Sequence, residues 1–165
     1  MKIMGIDPGL AKTGWGIIKV HGDEKPDLIG CGCINSSDIK SNIERLRYIY
    51  DELFKLIDTY SPDEVAIEEL FFSSNTKTAL SVAQAKGVII IALSSKNLKI
   101  VEYTPLQIKQ ALVGYGRATK KQVEYMVKNF LCRQDLRMAD HVFDSLAAAL
   151  CHHNTRNLSN IIAHS

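Results

Sequence analysis

Four side chains that can bind metal stand where one kind of β-sheet would bring them together. Asp7 and Glu68 each end a short apolar run, while His141 and Asp144 lie three residues apart in a segment with helical character and therefore share one face. Carboxylates that converge repel one another unless cations lie between them. The set therefore predicts a site for divalent metal, and two such ions about 3.5–4 Å apart can drive phosphodiester hydrolysis.

Each of these residues also has a simpler structural interpretation. Asp is common where a strand turns, as at Asp7 before Pro-Gly, and an acid at a strand end such as Glu68 usually lies on the surface. Glu69 is adjacent to Glu68, so one of the two at most can face Asp7. Asp140 comes four residues before Asp144 and is a further candidate ligand on the same helix. Because all of these residues are predicted to meet at one place in the fold, a metal site is the favoured interpretation.

The apolar pattern predicts the elements that would position these residues. Strands are predicted at 2–7, 13–20, 28–34, 64–67 and 98–103, and helices at 75–93 and 140–152, after Ser41, from Pro105 and after Thr119. This order is typical of the α/β class, with a five-stranded mixed sheet (three antiparallel strands plus two parallel) flanked by helices on both faces. A right-handed crossover would place the fourth strand beside the first, so that Asp7 and Glu68 meet.

Length and composition indicate one globular domain. The chain has 165 residues, of which 46% are hydrophobic and 23% are charged. We expect residues 1–153 to form a single domain and residues 154–165 to form a polar, flexible tail. Neither a secretory signal nor an apolar stretch of membrane-spanning length is visible, which predicts a cytoplasmic protein with no membrane partner.

Charge is distributed unevenly along the chain. The net charge is only +2, but residues 96–137 contain nine basic and three acidic side chains. A local basic field suits contacts with phosphate, although a solvated surface rich in lysine explains it equally well. Within this stretch Lys109 and Lys120 are candidates to stabilise the charge of a reacting phosphate. Each of them is equally consistent with a solvated amine.

Three further segments have two open interpretations each. Phe71 and Phe72 can stack on bases if they are exposed, or they can pack in the core. The Gly-Tyr-Gly-Arg segment at residues 114–117 can offer backbone amides to a phosphate, or it can form a plain turn. Small residues recur every four positions in the helix predicted at 75–93, which suits close packing on the sheet or a seam between two copies.

Eight short motifs follow one another along the chain: Gly5-Ile6-Asp7-Pro8-Gly9, Thr13-Gly14-Trp15-Gly16, Ala66-Ile67-Glu68-Glu69-Leu70-Phe71, Gln84-Ala85-Lys86-Gly87-Val88, Lys109-Gln110, Val113-Gly114-Tyr115-Gly116, Ala139-Asp140-His141 and Asp144-Ser145-Leu146-Ala147. Taken in order, they resemble the motifs of the RuvC family of Holliday-junction resolvases, nucleases of the ribonuclease-H-like superfamily. The resemblance runs to about His153. The ordered set is much more specific than any one motif, and it implies a ribonuclease-H-like nuclease domain over residues 1–153.

The resemblance implies an activity and its requirements. Members of the family are structure-specific endonucleases that resolve four-way DNA junctions in homologous recombination and DNA repair, by paired and symmetric hydrolysis of phosphodiester bonds. It implies two Mg²⁺ ions per active site, with Mn²⁺ as a substitute. It also implies a homodimer and cooperation with the RuvA–RuvB branch-migration complex. Members carry either Asp or His where His141 stands, so the preferred ion stays open.

The resemblance assigns roles to individual residues. Metal ligands, which are also catalytic, are implied at Asp7, Glu68, His141 and Asp144. Catalytic cations near the scissile phosphate are implied at Lys109 and Lys120. Contacts to DNA are expected from Phe71, Phe72, Asn75, Gly114, Gly116, Arg117 and Lys121, and dimer contacts from Ala79, Ala83 and Gly87.

Two other functions compete with this interpretation. A catalytically silent RuvC-like protein that binds nucleic acid or regulates another enzyme would be expected to lack metal ligands, and none of the four is missing. An ATP-binding phosphotransferase can also open with a strand, an Asp and a Gly-rich turn. A chain of 165 residues cannot supply the two duplicated lobes of such an enzyme. The sequence therefore favours the endonuclease.

Overall fold

A mixed β-sheet with helices on both faces organises the chain. The computed structural model describes residues 1–22, 24–69 and 76–163, with side chains described for 1–22, 24–69 and 79–156. The strands are β1 (Lys2–Asp7), β2 (Lys12–Lys19), β3 (Asp27–Asn35), β4 (Glu64–Glu68) and β5 (Lys99–Tyr103). The helices are α1 (Asn42–Tyr60), α2 (Thr76–Ser95), α3 (Pro105–Val113), α4 (Lys120–Phe130) and α5 (Asp140–Ala163). Among the described residues, no helix combines the length and apolar character needed to cross a membrane.

The sheet topology places the first and fourth strands side by side. The strands lie in the order β3-β2-β1-β4-β5. β1 pairs antiparallel with β2 and β2 with β3, whereas β4 pairs parallel with both β1 and β5. Ile6 is paired with Ile67, so the carboxyl ends of β1 and β4 meet at one edge. The predicted fold class is confirmed, as is the predicted neighbour of the first strand.

Alternation along β1 and β4 decides which side chains face α5. Met4 packs in the core that α1 and α2 cover, whereas Ile3 and Ala66 pack in the core that α5 covers together with α3 and α4. Successive residues of a strand point to opposite faces of the sheet. The same alternation therefore directs Asp7 and Glu68 to the face covered by α5.

Glycines let the backbone of α5 lie directly on the sheet. Gly5 of β1 is paired with Gly16 of β2. A Cβ added at Gly5 would stand 1.9 Å from the carbonyl oxygen of Ser145, and one added at Gly14 would stand 1.9 Å from that of His141. No side chain fits at either position unless α5 moves away. These glycines therefore set the height of the α5 side chains above β1.

Three helices begin at the positions that the sequence predicts. The hydroxyl of Ser41 accepts a bond from the backbone of α1. Thr104 and Thr119 each form a reciprocal capping box with the glutamine three residues later. Pro105 occupies the first turn of α3, where the missing N–H costs no hydrogen bond. The box at Thr119 fixes the backbone of Lys120, the first residue of α4.

A buried polar network joins α5 to the first residue of β4 and the last residue of β5. The Nε2 atom of His152 lies 2.6 Å from Oε2 of Glu64, and its Nδ1 atom lies 2.8 Å from the hydroxyl of Tyr103. Burial by itself would raise the pKa of Glu64, but the bond with His152 and the charges of Arg156 and Lys99 lower that pKa overall. The chain thus supplies its own partners for this carboxylate.

The last helix is longer than the sequence indicates. We predicted a helix over 140–152 followed by a polar tail, and the end of that helix is wrong because α5 continues to Ala163. The side-chain amide of Asn154 donates to the carbonyl oxygen of Ala111 at 3.1 Å, and the Nε atom of Arg156 lies 3.5 Å from the carboxylate of the buried network. These polar residues are anchored by tertiary contacts. Flexibility of the predicted tail stays a prediction.

The contact between α5 and the sheet can be tested at the paired glycines. Gly5→Ala places a methyl group against backbone that cannot rotate away, so we expect it to lower the free energy of unfolding by about 3 kcal/mol. Gly16→Ala is the matched control, because its methyl group meets the flexible end of Leu146. We expect it to cost about 1 kcal/mol. Urea denaturation of the metal-free variants measures both values, and an equal or reversed order would contradict the proposed contact.

Candidate active site

Three carboxylates from three different elements converge at one end of the sheet. Asp7 ends β1, Glu68 ends β4, and Asp144 lies in the second turn of α5. Each offers one oxygen within 4.8 Å of the oxygens offered by the other two. Within the part of the chain that the structure describes, this is the one group of three or more ligand-type side chains so closely spaced. Parallel pairing of β1 with β4 and the close approach of α5 together produce it.

His141 joins this group through Asp7. Its Nδ1 atom lies 2.6 Å from Oδ2 of Asp7. When Asp7 is ionised, Nδ1 donates the hydrogen bond and the lone pair resides on Nε2, the tautomer in which an imidazole can bind metal. No ring nitrogen of His141 belongs to the set of ligand atoms within 4.8 Å. The structure thus shows His141 as the partner of Asp7, and its predicted role as a ligand stays a prediction.

Burial and charge repulsion act most strongly on Glu68. Burial, together with the negative charges of Asp7 and Asp144, raises the pKa of this carboxyl to about 8. The positive charges of Lys120 and Lys109 oppose that rise without cancelling it. In the absence of another cation, Glu68 therefore holds a proton at neutral pH.

The other two carboxyls are perturbed in the same direction. Burial raises the pKa of Asp7, with a further rise from Asp144 and an opposing effect of the hydrogen bond with His141. Burial also raises the pKa of Asp144, against the charge of Lys120. Three half-buried acids that repel one another need more positive charge than the neighbouring lysines supply. Oxygen ligands in this number and spacing fit a hard divalent cation such as Mg²⁺.

The three carboxylates line a cleft of about 560 Å³. Its lining residues are Asp7, Pro8, Glu68, Glu69, Pro105, Ile108, Lys109, Lys120, Val123, His141, Asp144 and Ala147. All six predicted catalytic residues therefore face one space. Two of them bring positive charge to it, since Lys109 comes from α3 and Lys120 from the start of α4. A cleft lined by both carboxylates and amines can accept a phosphodiester next to a bound cation.

Among the remaining predicted residues, those that the structure describes do not line this cleft. Phe71, Phe72 and Asn75 fall outside the described residues. Gly114 ends α3 with a positive φ of 90°, a left-handed conformation that favours glycine. It is followed by Gly116, Arg117 and Lys121, which continue to the first turn of α4. The predicted dimer residues lie on α2, where Ala79 and Ala83 are half-buried and Gly87 is exposed.

Sequence reasoning missed the apolar wall of the cleft. Ile108, Val123 and Ala147 line it together with the charged residues. Two of them follow a predicted catalytic residue by three positions on the same helix, as Val123 follows Lys120. Helical spacing was therefore the available signal. The sequence also left open the role of Asp140, whose Oδ2 lies 3.6 Å from Nζ of Lys120.

Comparison with known proteins agrees with this geometry. The sequence profile of the family described as "Crossover junction endodeoxyribonuclease RuvC" matches residues 3–152. A relative of that name from Caldicellulosiruptor saccharolyticus is 48% identical over 152 residues, which cover 92% of each chain. Another from Halothermothrix orenii is 46% identical over 159 residues, or 96% of each chain.

A solved structure has the same fold over nearly its whole length. It is titled "T. thermophilus RuvC in complex with Holliday junction substrate", and it superposes on this chain with a TM-score of 0.90 at 31% identity, covering 96% of both chains. Family profile, sequence relatives and structure therefore agree. The chain belongs to the RuvC family of crossover junction endodeoxyribonucleases.

Proposed function

We propose that this chain is a structure-specific endonuclease that resolves four-way DNA junctions in homologous recombination and DNA repair, by paired and symmetric hydrolysis of phosphodiester bonds. The observation that carries the proposal is the convergence of Asp7, Glu68 and Asp144 within 4.8 Å in a cleft that also contains two lysines. A relative with the same fold was solved with a Holliday-junction substrate. A catalytically silent role has no support, because no member of the acidic group is missing.

The proposed cofactor is Mg²⁺, with two ions per active site. Asp7, Glu68 and Asp144 would hold them through carboxylate oxygens, which Mg²⁺ prefers. His141 orients Asp7 and is proposed as a fourth ligand through Nε2, which also makes Mn²⁺ an acceptable substitute. When bound, such ions activate an attacking water and neutralise the charge of the leaving oxygen.

The lysines of the cleft supply the fixed positive charge of the proposed reaction. Nζ of Lys120 lies 3.5 Å from Oδ2 of Asp144. The charge of Asp144 raises the pKa of Lys120, so this amine stays protonated at neutral pH. Lys109 lies on the opposing helix and faces the same cleft. Both amines would stabilise the charge that builds up on the phosphate oxygens as water attacks.

The segment from α3 to α4 is proposed to hold the DNA backbone beside the cleft. Gly114, Gly116, Arg117 and Lys121 lie along this segment, next to the helices that carry Lys109 and Lys120. Exposed amides and basic side chains contact phosphates without regard to base sequence. Stacking on bases by Phe71 and Phe72, and a DNA contact by Asn75, belong to the same proposal and rest on the resemblance.

An exposed stripe on α2 supports the proposed homodimer. Leu80 and Ile91 have 66% and 60% of their surface exposed. Together with Ala83 and Gly87 they follow helical spacing along one side of α2. Small residues between two apolar ones let a second helix approach closely. We propose that a second copy covers this stripe, with Ala79 at its edge.

The dimer is further proposed to work in the cytoplasm and to cooperate with the RuvA–RuvB complex. Both proposals rest on the resemblance to the family.

The acidic group can be tested by a substitution that removes charge without bulk. We expect Asp7→Asn to lower cleavage of a synthetic four-way junction in Mg²⁺ by at least about 100-fold, because a metal-binding carboxylate is lost. Junction affinity in Ca²⁺ should stay close to that of the wild type, and linear duplex serves as the control substrate. Failure of the wild type to cut the junction in Mg²⁺ or Mn²⁺ would overturn the proposed function.

The raised pKa of Glu68 predicts how pH acts on the metal-free protein. The ordinary value is 4.5 and the folded value is about 8, so the folded state keeps a proton that the unfolded state releases between these limits. Stability of the metal-free fold should therefore fall as pH rises through that window, and Mg²⁺ should restore it. Thermal melting measures this profile.

Two variants identify the source of that pH dependence. In Glu68→Gln the fall in melting temperature at alkaline pH should be smaller by several degrees than in the wild type, because the amide side chain cannot ionise. The neighbouring Glu69→Gln is the control and should leave the slope in place. If the wild type and Glu68→Gln gave parallel profiles, Glu68 would not be the group that titrates.

The proposed dimer can be tested on the exposed face of α2. Ile91→Glu places a charge at the apolar end of the stripe and should convert the dimer to a monomer at micromolar concentration, because the carboxylate would be buried against the second copy. Ile43→Glu on α1 is the control, since Ile43 is 80% exposed and lies on another helix. Sedimentation equilibrium measures the association, and a wild-type monomer at all concentrations would rule the dimer out.

A further inference from the structure

Lys120 lies between two acids of α5. Its Nζ atom is 3.5 Å from Oδ2 of Asp144 and 3.6 Å from Oδ2 of Asp140. The two acids are four residues apart, so they stand one above the other on the same face of the helix. Both raise the pKa of Lys120, with Asp144 contributing more. One lysine thus has two anionic partners on a single helix.

The two acids differ in what else they can bind. Asp144 belongs to the convergent group with Asp7 and Glu68 and is half-buried in the cleft. Asp140 does not belong to that group, and 78% of its side chain is exposed. A divalent cation on Asp144 would occupy its oxygens and repel the ammonium group of Lys120. Asp140 is then the partner that keeps its negative charge available.

The side chain of Lys120 needs such a partner. The capping box at Thr119 fixes its backbone at the start of α4. The side chain itself is 72% exposed and has four rotatable bonds, so it loses its orientation when its partner is withdrawn. An exposed ion pair contributes little to stability. Its effect is on where the ammonium group points.

We propose that Asp140 is a positioning residue that holds Lys120 beside the scissile phosphate while Asp144 is engaged by metal. This inference rests on the proposed function, because it concerns the metal-loaded state of the same cleft. Lys120 passes from two partners to one as the site is loaded. Asp140 acts through Lys120 and touches neither the substrate nor the ions.

Two other roles for Asp140 make different predictions. A negative charge in the first turn of a helix is favourable, so Asp140 can simply stabilise α5. In that case its loss lowers the melting temperature and acts on cleavage independently of Lys120. Asp140 can also hold a metal-bound water, in which case its loss weakens the apparent affinity for Mg²⁺. Positioning of Lys120 changes neither the melting temperature nor that affinity.

A double-mutant cycle separates these roles. Asp140→Asn should lower the single-turnover cleavage rate by about 3- to 10-fold, and Lys120→Ala should lower it more. The double variant should be no slower than Lys120→Ala alone, because Asp140 has nothing left to position. Asp140→Glu should recover most of the rate. The control is Asp58→Asn, which breaks an exposed ion pair with Lys96 on another part of the surface.

A second measurement needs no cleavage. In protein loaded with Ca²⁺ and free of DNA, acylation of Lys120 read by mass spectrometry should be about 2- to 5-fold faster in Asp140→Asn than in the wild type. Without the ion the difference should shrink, because Asp144 still holds the amine. If the wild type cuts junctions but the effects of the two substitutions on the cleavage rate are additive, that result would overturn the positioning role. So would acylation that responds equally with and without Ca²⁺, or a Lys120→Ala variant that cuts normally. Failure of the wild type to cut four-way junctions would instead contradict the proposed function.

Discussion

The rest of the structure depends on the contact between the backbone of α5 and the sheet. At Gly5 and Gly14, carbonyl oxygens of α5 occupy the space that a side chain would fill. This contact brings the helix low enough for Asp144 to meet Asp7 and Glu68, which the two parallel strands have already placed side by side. A larger residue at either glycine would lift the helix and separate the carboxylates. Small residues here serve the packing of the core and the geometry of the cleft at once.

Two glutamates at opposite ends of β4 show that a buried carboxylate can have very different surroundings. Glu64 and Glu68 stand four residues apart on the same face of one strand. Glu64 lies beside His152 and Arg156, and these partners lower its pKa. Glu68 lies beside Asp7 and another acid, and burial with their charges raises its pKa to about 8. The chain satisfies the first carboxylate itself and leaves the second in need of a cation. The carboxylate at the start of β4 therefore stabilises the fold, whereas the one at its end is placed to bind metal at some cost in stability.

Most of the fold and the centre of the candidate site could be predicted from the sequence. Asp7 and Glu68 could be found because strand ends show in the apolar pattern, and the crossover rule makes the two strands neighbours. The full length of α5 could not, because the polar residues after His152 are held by partners distant in sequence. The ion pair of Asp140 with Lys120 was hidden for the same reason. It depends on how α4 packs against α5, and the hydrophobic pattern of the sequence does not predict that packing.

The most direct test of metal binding in the cleft is anomalous diffraction from crystals soaked with Mn²⁺. We expect strong peaks in the cleft, at about 2.2 Å from carboxylate oxygens of Asp7, Glu68 and Asp144. Ions found only elsewhere on the surface, or an empty cleft at a concentration that supports cleavage, would contradict it.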